Sequence, residues 1–123
     1  MNSCIFCNLS KEKIILENEY TQAFFDEFPV SKGHMLIIPK RHVSSFFDLT
    51  KQEHDAVLEL LQICKKKLEK LYAPNGYNIG VNIGEYAGQS IFHVHIHLIP
   101  RYKGDTPNPR GGIRGVIPSK QNY

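Results

Sequence analysis

The stretch that most constrains this 123-residue chain is Phe92-His93-Val94-His95-Ile96-His97-Leu98-Ile99-Pro100-Arg101. Apolar and imidazole side chains alternate through it with a period of two. That period belongs to a β-strand, whose successive side chains point to opposite faces. Val94, Ile96 and Leu98 then share one face, which reads as core, while His93, His95 and His97 share the other. An outward face is ordinarily built from Thr, Ser, Lys or Glu, and three buried imidazoles without partners would be costly to desolvate. Alternate residues on a strand lie about 6.6 Å apart and the outer pair about 13 Å, whereas metal–nitrogen bonds are about 2 Å long. Three rings in line can hardly converge on one ion without a bend. The spacing favours a divided set, in which different rings do different jobs. An imidazole titrates near neutrality, so the middle ring, His95, can act as an unprotonated nucleophile. Its attack on phosphorus would give a phosphoramidate and split one difficult displacement into two.

A chain of this length suits one domain, residues 1–123, with a real hydrophobic core. No apolar run is long enough to cross a membrane, and the start lacks the basic-then-apolar pattern of a secretory signal. The expectation is therefore a cytoplasmic protein with no membrane partner. The net charge of +3 leaves room for a phosphate pocket but does not argue for a nucleic-acid groove. Lys65-Lys66-Lys67 reads as a solvated helix face.

Taken in order, the chain opens on Cys4-Ile5-Phe6-Cys7. This pair can be half of a zinc site, a redox pair or two ordinary thiols. No βαβ pattern follows to support the redox reading, and an odd total of three cysteines argues against a disulfide framework. Ile14 to Phe28 reads as strand-rich, ending in a turn at Asp26-Glu27-Phe28-Pro29. Met35 to Ile38 is a short apolar strand closed by Pro39. His34 is either near the site or a satisfied structural histidine. A short helical turn over 43–49 precedes a long helix capped by Thr50 and Glu53. Val57, Leu60, Leu61, Cys64, Leu68 and Leu71 form its apolar stripe, which makes Cys64 core, while His54 reads as exposed. Pro74-Asn75-Gly76 stops the helix, and 77–81 is another strand. Gly88-Gln89-Ser90 then either forms a plain hairpin loop or offers backbone and side-chain donors to a phosphate. The Gly- and Pro-rich tail from Tyr102 reads as irregular, folding over a pocket mouth or crossing a subunit interface.

The alternating stretch resembles the signature of the histidine triad (HIT) superfamily. So do Gly88-Gln89-Ser90, Pro100-Arg101, the Cys-x-x-Cys start, Phe25-Asp26, the run from Gly33 to His42, and Val81-Asn82. The ordered set covers nearly the whole chain. The resemblance implies an α+β HIT-like fold: an antiparallel sheet of about five strands with one long helix and a short one. It implies a homodimer with the sheet continued between subunits. It implies one structural zinc per chain, held by Cys4, Cys7, His42 and His93. It assigns the ribose to Asp26, the nucleotide pocket to Asn82, and the α-phosphate and ribose to Gly88, Gln89 and Ser90. His95 becomes the nucleophile of a nucleotide hydrolase or transferase, with His97 the proton donor and a second contact to the nucleotide. Magnesium on the substrate phosphates would be compatible. Purine dinucleoside polyphosphates are the expected substrates, similar to those of bacterial-type diadenosine polyphosphate hydrolases. Nucleoside phosphoramidates come next, the tail lacking the tryptophan ending of the phosphoramidase branch. The alternatives are a nucleotide-binding adaptor and a metal-sensing module.

Overall fold

In the computed structural model, which describes residues 3–123, five antiparallel strands and one long helix carry the chain. The strands are β1 (Leu16–Glu17), β2 (Thr21–Phe25), β3 (Met35–Pro39), β4 (Gly76–Val81) and β5 (Ile96–Arg101), and the helix is α1 (Lys51–Tyr72). The sheet order is β1-β2-β3-β5-β4. This is the α+β architecture expected from the hydrophobic patterning and the resemblance, and the short turn before α1 is the 3-10 turn Phe46–Asp48. Among the described residues no helix is long and apolar enough to cross a membrane.

Capping starts α1 where the sequence places it. Thr50 accepts from the Glu53 backbone N–H at 3.1 Å, and Glu53 accepts from the Thr50 N–H at 2.9 Å. Glu53 also receives Arg41 at 2.8 and 3.1 Å, a second role that the capping pattern does not announce. That hydrogen-bonded pair, chiefly through the guanidinium, lowers the Glu53 carboxyl from its ordinary range. It also ties the first turn of the helix to the segment after β3. The helix ends with Ala73 in the left-handed region.

One face of the sheet packs on α1. Ala23, Met35, Ile37, Ile96 and Leu98 meet Val57, Leu60, Cys64 and Leu68 there. Cys64 is fully buried, and burial pushes its thiol up to about 12, so it is core as expected. Two outer positions differ from expectation. Leu71 is half exposed, and His54 is partly buried with its ring edge-on to Phe46 at 4.8 Å.

The opposite face carries the site. Alternation puts Phe24, Leu36, His97 and Gly80 directly across from one another on β2, β3, β5 and β4. The N-terminal segment lies over this face, where Phe6 joins Phe24, Leu36 and Ile38 in a second apolar cluster. The tail forms two short 3-10 turns, Gly112–Val116 and Pro118–Lys120. It packs beside β4, with Ile113 over Gly80, and its residues are not among those lining the cleft described below.

The alternating stretch departs from a continuous strand. Pairing begins only at Ile96, and residues 91–93 form a bend. Val94 donates to the Val43 carbonyl at 2.8 Å, and Ser44 donates to the Phe92 carbonyl at 3.0 Å. These bonds fasten the bend to the segment after β3 instead of to a neighbouring strand. The inward alternation nevertheless survives, with Val94, Ile96 and Leu98 all buried.

Candidate functional site

Because of the bend, the three histidines do not form one row. His93 is fully buried and turns toward Cys4, Cys7 and His42. Cys4 Sγ lies 3.6 Å and Cys7 Sγ 3.4 Å from His93 Nδ1. His42 Nδ1 lies 3.2 Å from Cys7 Sγ and 3.3 Å from His93 Nδ1. Zinc held about 2.3 Å from sulfur and about 2.0–2.1 Å from nitrogen in a tetrahedron keeps its ligand atoms about 3.3–3.8 Å apart. The donor set fits such an ion in spacing and in chemistry. His93 Nε2 meets the Pro39 carbonyl at 2.8 Å. A carbonyl can only accept, so Nε2 carries the proton and Nδ1 presents its lone pair to the two sulfurs. These four residues are a candidate Cys₂His₂ metal site.

His95 and His97 turn instead to a cleft of about 640 Å³. Its lining includes Asp26, Asn82, Gly88 and Ser90 with the two rings, so six of the seven residues expected at a nucleotide meet in one place. The seventh, Gln89, does not line it. Its side chain accepts from the Gly84 N–H at 2.9 Å and donates to the Ser44 and Ile91 carbonyls at 2.8 and 3.2 Å. This buried amide clamps the 84–91 loop, and its donors are engaged there, so the expected side-chain contact to phosphate does not fit its position. Gly88, at φ +95°, occupies the left-handed region that a Cβ would strain.

Backbone partners select the ring tautomers. His95 Nδ1 lies 2.9 Å from the His93 carbonyl and must donate to it, which leaves Nε2 bare in the neutral ring. His34 Nδ1 receives the Val30 N–H at 3.1 Å, so its Nε2 carries the proton. That Nε2 lies 2.9 Å from His97 Nδ1 and 3.5 Å from Asp26 Oδ2. His97 Nδ1 therefore accepts, and its Nε2 carries the remaining proton. Asp26, His34 and His97 bring possible ligand atoms within 4.8 Å of one another, but this directed donor chain accounts for their approach. Asp26 also accepts from the Phe28 N–H at 2.9 Å, so it forms the turn while it lines the cleft.

His34 is 2 % exposed and belongs to the site. Only its place one residue before a strand hinted at this; its contact with His97 spans 63 positions of sequence. Burial lowers its basicity, with Asp26 opposing. His97 is pushed down to about 4, by burial first and then by the neighbouring His95 and His34. It is neutral at pH 7. On the cleft's other wall stand Ile5, Phe6 and Leu9, and Glu27 pairs with Lys13 at 3.3 Å at its side.

The HIT domain model matches residues 8–104, most of the chain. The chain belongs to the HIT domain family. The protein is 41% identical over 112 residues to "Protein hit" of Bacillus subtilis, covering 84% of this chain and 74% of that one. It is 37% identical over 121 residues to an adenosine 5'-monophosphoramidase of Schizosaccharomyces pombe, covering 95% and 84%. Among solved structures, a Zn-bound histidine triad family protein from Mycobacterium smegmatis superposes with a TM-score of 0.76. The two are 30% identical, and the match covers 86% of this chain and 80% of that one.

The lowered His97 basicity makes a stability prediction for this HIT domain. The unfolded chain binds a proton at 6.5 that the folded chain refuses until about 4, so stability falls as pH drops through that window. Urea titrations should show about 1–2 kcal/mol lost between pH 7 and pH 5 from His97, and His97→Asn should reduce the slope to the part that His34 and His93 contribute.

Proposed function

We propose that this HIT protein is a hydrolase that cleaves at the α-phosphorus of a purine nucleotide through a nucleotidyl-histidine. One observation carries the reading. The His95 Nδ1–H is held by the His93 carbonyl, which leaves Nε2 as the bare nitrogen of a ring that lines the cleft. In the proposed step that nitrogen forms a bond to phosphorus as the bond to the leaving amine or phosphate breaks. Water then attacks the same phosphorus, breaks the P–N bond and releases the nucleoside monophosphate. Ser90 would meet the phosphate oxygens, since the N–H groups of Ala87, Gly88 and Gln89 are engaged by the Gly84 and Glu85 carbonyls. His97 would offer its Nε2–H as a hydrogen bond to the leaving group, which takes its proton from water in the cleft. His34 would orient His97 by donating its Nε2–H to Nδ1. Asp26 would accept from the ribose hydroxyls, with Asn82 beside it.

Nucleoside phosphoramidates are the first substrates to test, because relatives from two yeasts bear the name adenosine 5'-monophosphoramidase. Dinucleoside polyphosphates, favoured on the sequence resemblance, come second. His95→Ala should lower turnover of adenosine phosphoramidate by at least about a thousandfold while leaving the circular dichroism spectrum unchanged. Activity retained within about tenfold would reject the nucleophile assignment.

The Cys₂His₂ site would hold zinc structurally, with no coordination position open to substrate. Elemental analysis should find one zinc per chain, and Cys7→Ser should lose it. Protein purified without metal at full stability would remove Cys4, Cys7, His42 and His93 as ligands.

A homodimer formed by β4 pairing with its copy would continue the sheet. β4 is six residues long and ends the strand order, whereas β1 at the other end has only two. Light scattering should return twice the 14.1 kDa chain mass, and a monomer mass would withdraw the dimer.

A further inference from the structure

We propose that Phe6 is a positioning residue through which the Cys₂His₂ metal site and the nucleotide cleft raise each other's affinity. The nucleotide-hydrolase reading supplies the ligand for the cleft; the link itself is read from Phe6.

Phe6 stands between Cys4 and Cys7 in one tight turn. The Asn8 N–H donates to the Cys4 carbonyl at 3.2 Å, and the Asn8 side-chain amide donates to it at 2.8 Å. Both bonds brace the turn, so placing the two sulfurs also places the ring between them. That ring is 7 % exposed. It meets His95 edge-to-face, with centroids 5.1 Å apart and planes at 68°. It meets Phe24 at 5.5 Å and His93 at 6.0 Å in the same manner. Such contacts are directional, because the positive ring edge seeks the negative face. Phe6 also lines the cleft, and Ile5 and Leu9 of the same segment line it as well.

The segment precedes β1 and lies outside the sheet ladder. Its start is held to the sheet face by the seating of Phe6 against Phe24, Leu36 and Ile38, and by the approach of the sulfurs to His42 and His93. A metal bound by both sulfurs would hold the turn down and keep Phe6 seated. A nucleotide resting on that wall needs the same seated state. Each ligand therefore lowers the ordering cost of the other, and linkage requires the two effects to be equal.

A second route between the sites exists, since ligand His93 also accepts the His95 Nδ1–H on its carbonyl. Phe6→Leu separates the two routes. It keeps an apolar side chain on the cleft wall, removes the ring contact and leaves the His93 bond intact. Adenosine monophosphate affinity is measured by calorimetry on zinc-loaded and metal-stripped protein. Zinc affinity is measured against a chromophoric chelator with and without saturating adenosine monophosphate. The wild-type chain should show the same factor in both directions, about tenfold. Phe6→Leu should shrink it to within about twofold while zinc content stays at one per chain.

Equal nucleotide affinity with and without zinc in the wild-type chain overturns the coupling and leaves the hydrolase reading standing. Full coupling in Phe6→Leu overturns the role of Phe6 and assigns the link to His93. Nucleotide binding to neither form overturns the hydrolase reading, and the coupling with it. Where stripping unfolds the chain, the readout is the rate of chelator-driven zinc release from loaded protein. Adenosine monophosphate should slow that release in the wild type and not in Phe6→Leu, and equal protection in both overturns the proposal.

Discussion

A backbone carbonyl that can only accept is the constraint on which the site depends. The His93 carbonyl takes the His95 Nδ1–H and so decides which nitrogen of that ring is basic. Pro39 does the same for His93, and Val30, through its N–H, does the reverse for His34. The main chain sets the tautomers of His93, His95 and His34 directly and that of His97 through His34, and its donors and acceptors do not titrate near neutrality. Side chains alone could not hold four adjacent imidazoles in one pattern of tautomers.

That pattern needs a bent chain, and here sequence and structure part. Period-two alternation correctly assigned Val94, Ile96 and Leu98 to the core and argued that the histidines must divide their tasks. It could not show that pairing begins only at Ile96. The bend is held by bonds to Val43 and Ser44, about fifty positions away, which no local pattern encodes. Helix α1 was legible to its capping residues because caps and apolar stripes are local. His34 was ambiguous for the opposite reason: a lone imidazole before a strand has the same appearance whether it serves a site or a turn. Gln89 was open between two roles because an amide near glycines suits an anion and a loop clamp equally well, and its side chain lies in the clamp. The four candidate metal ligands came from the family resemblance, and their ligand atoms lie within 4.8 Å of one another.

The two sheet faces divide the labour. Packing on α1 buries Ala23, Met35, Ile37, Ile96 and Leu98, which supplies cohesion without any polar chemistry. The opposite face exchanges a packed helix for a thin covering segment and a cleft. Its basicity shifts follow from that exchange, because rings sheltered there lose water before any charged partner replaces it.

His97 and His95 are only two residues apart, yet they answer to different mechanical supports. His97 lies on a central strand, paired with Leu36 on one side and Gly80 on the other. His95 precedes the first paired residue and is anchored instead by the Val94 N–H on the Val43 carbonyl and by its own Nδ1–H on the His93 carbonyl. A ring proposed to form and break a bond to phosphorus shifts by fractions of an ångström as it does so. That excursion would be taken up outside the ladder, and the paired strand need not be disturbed at each turnover.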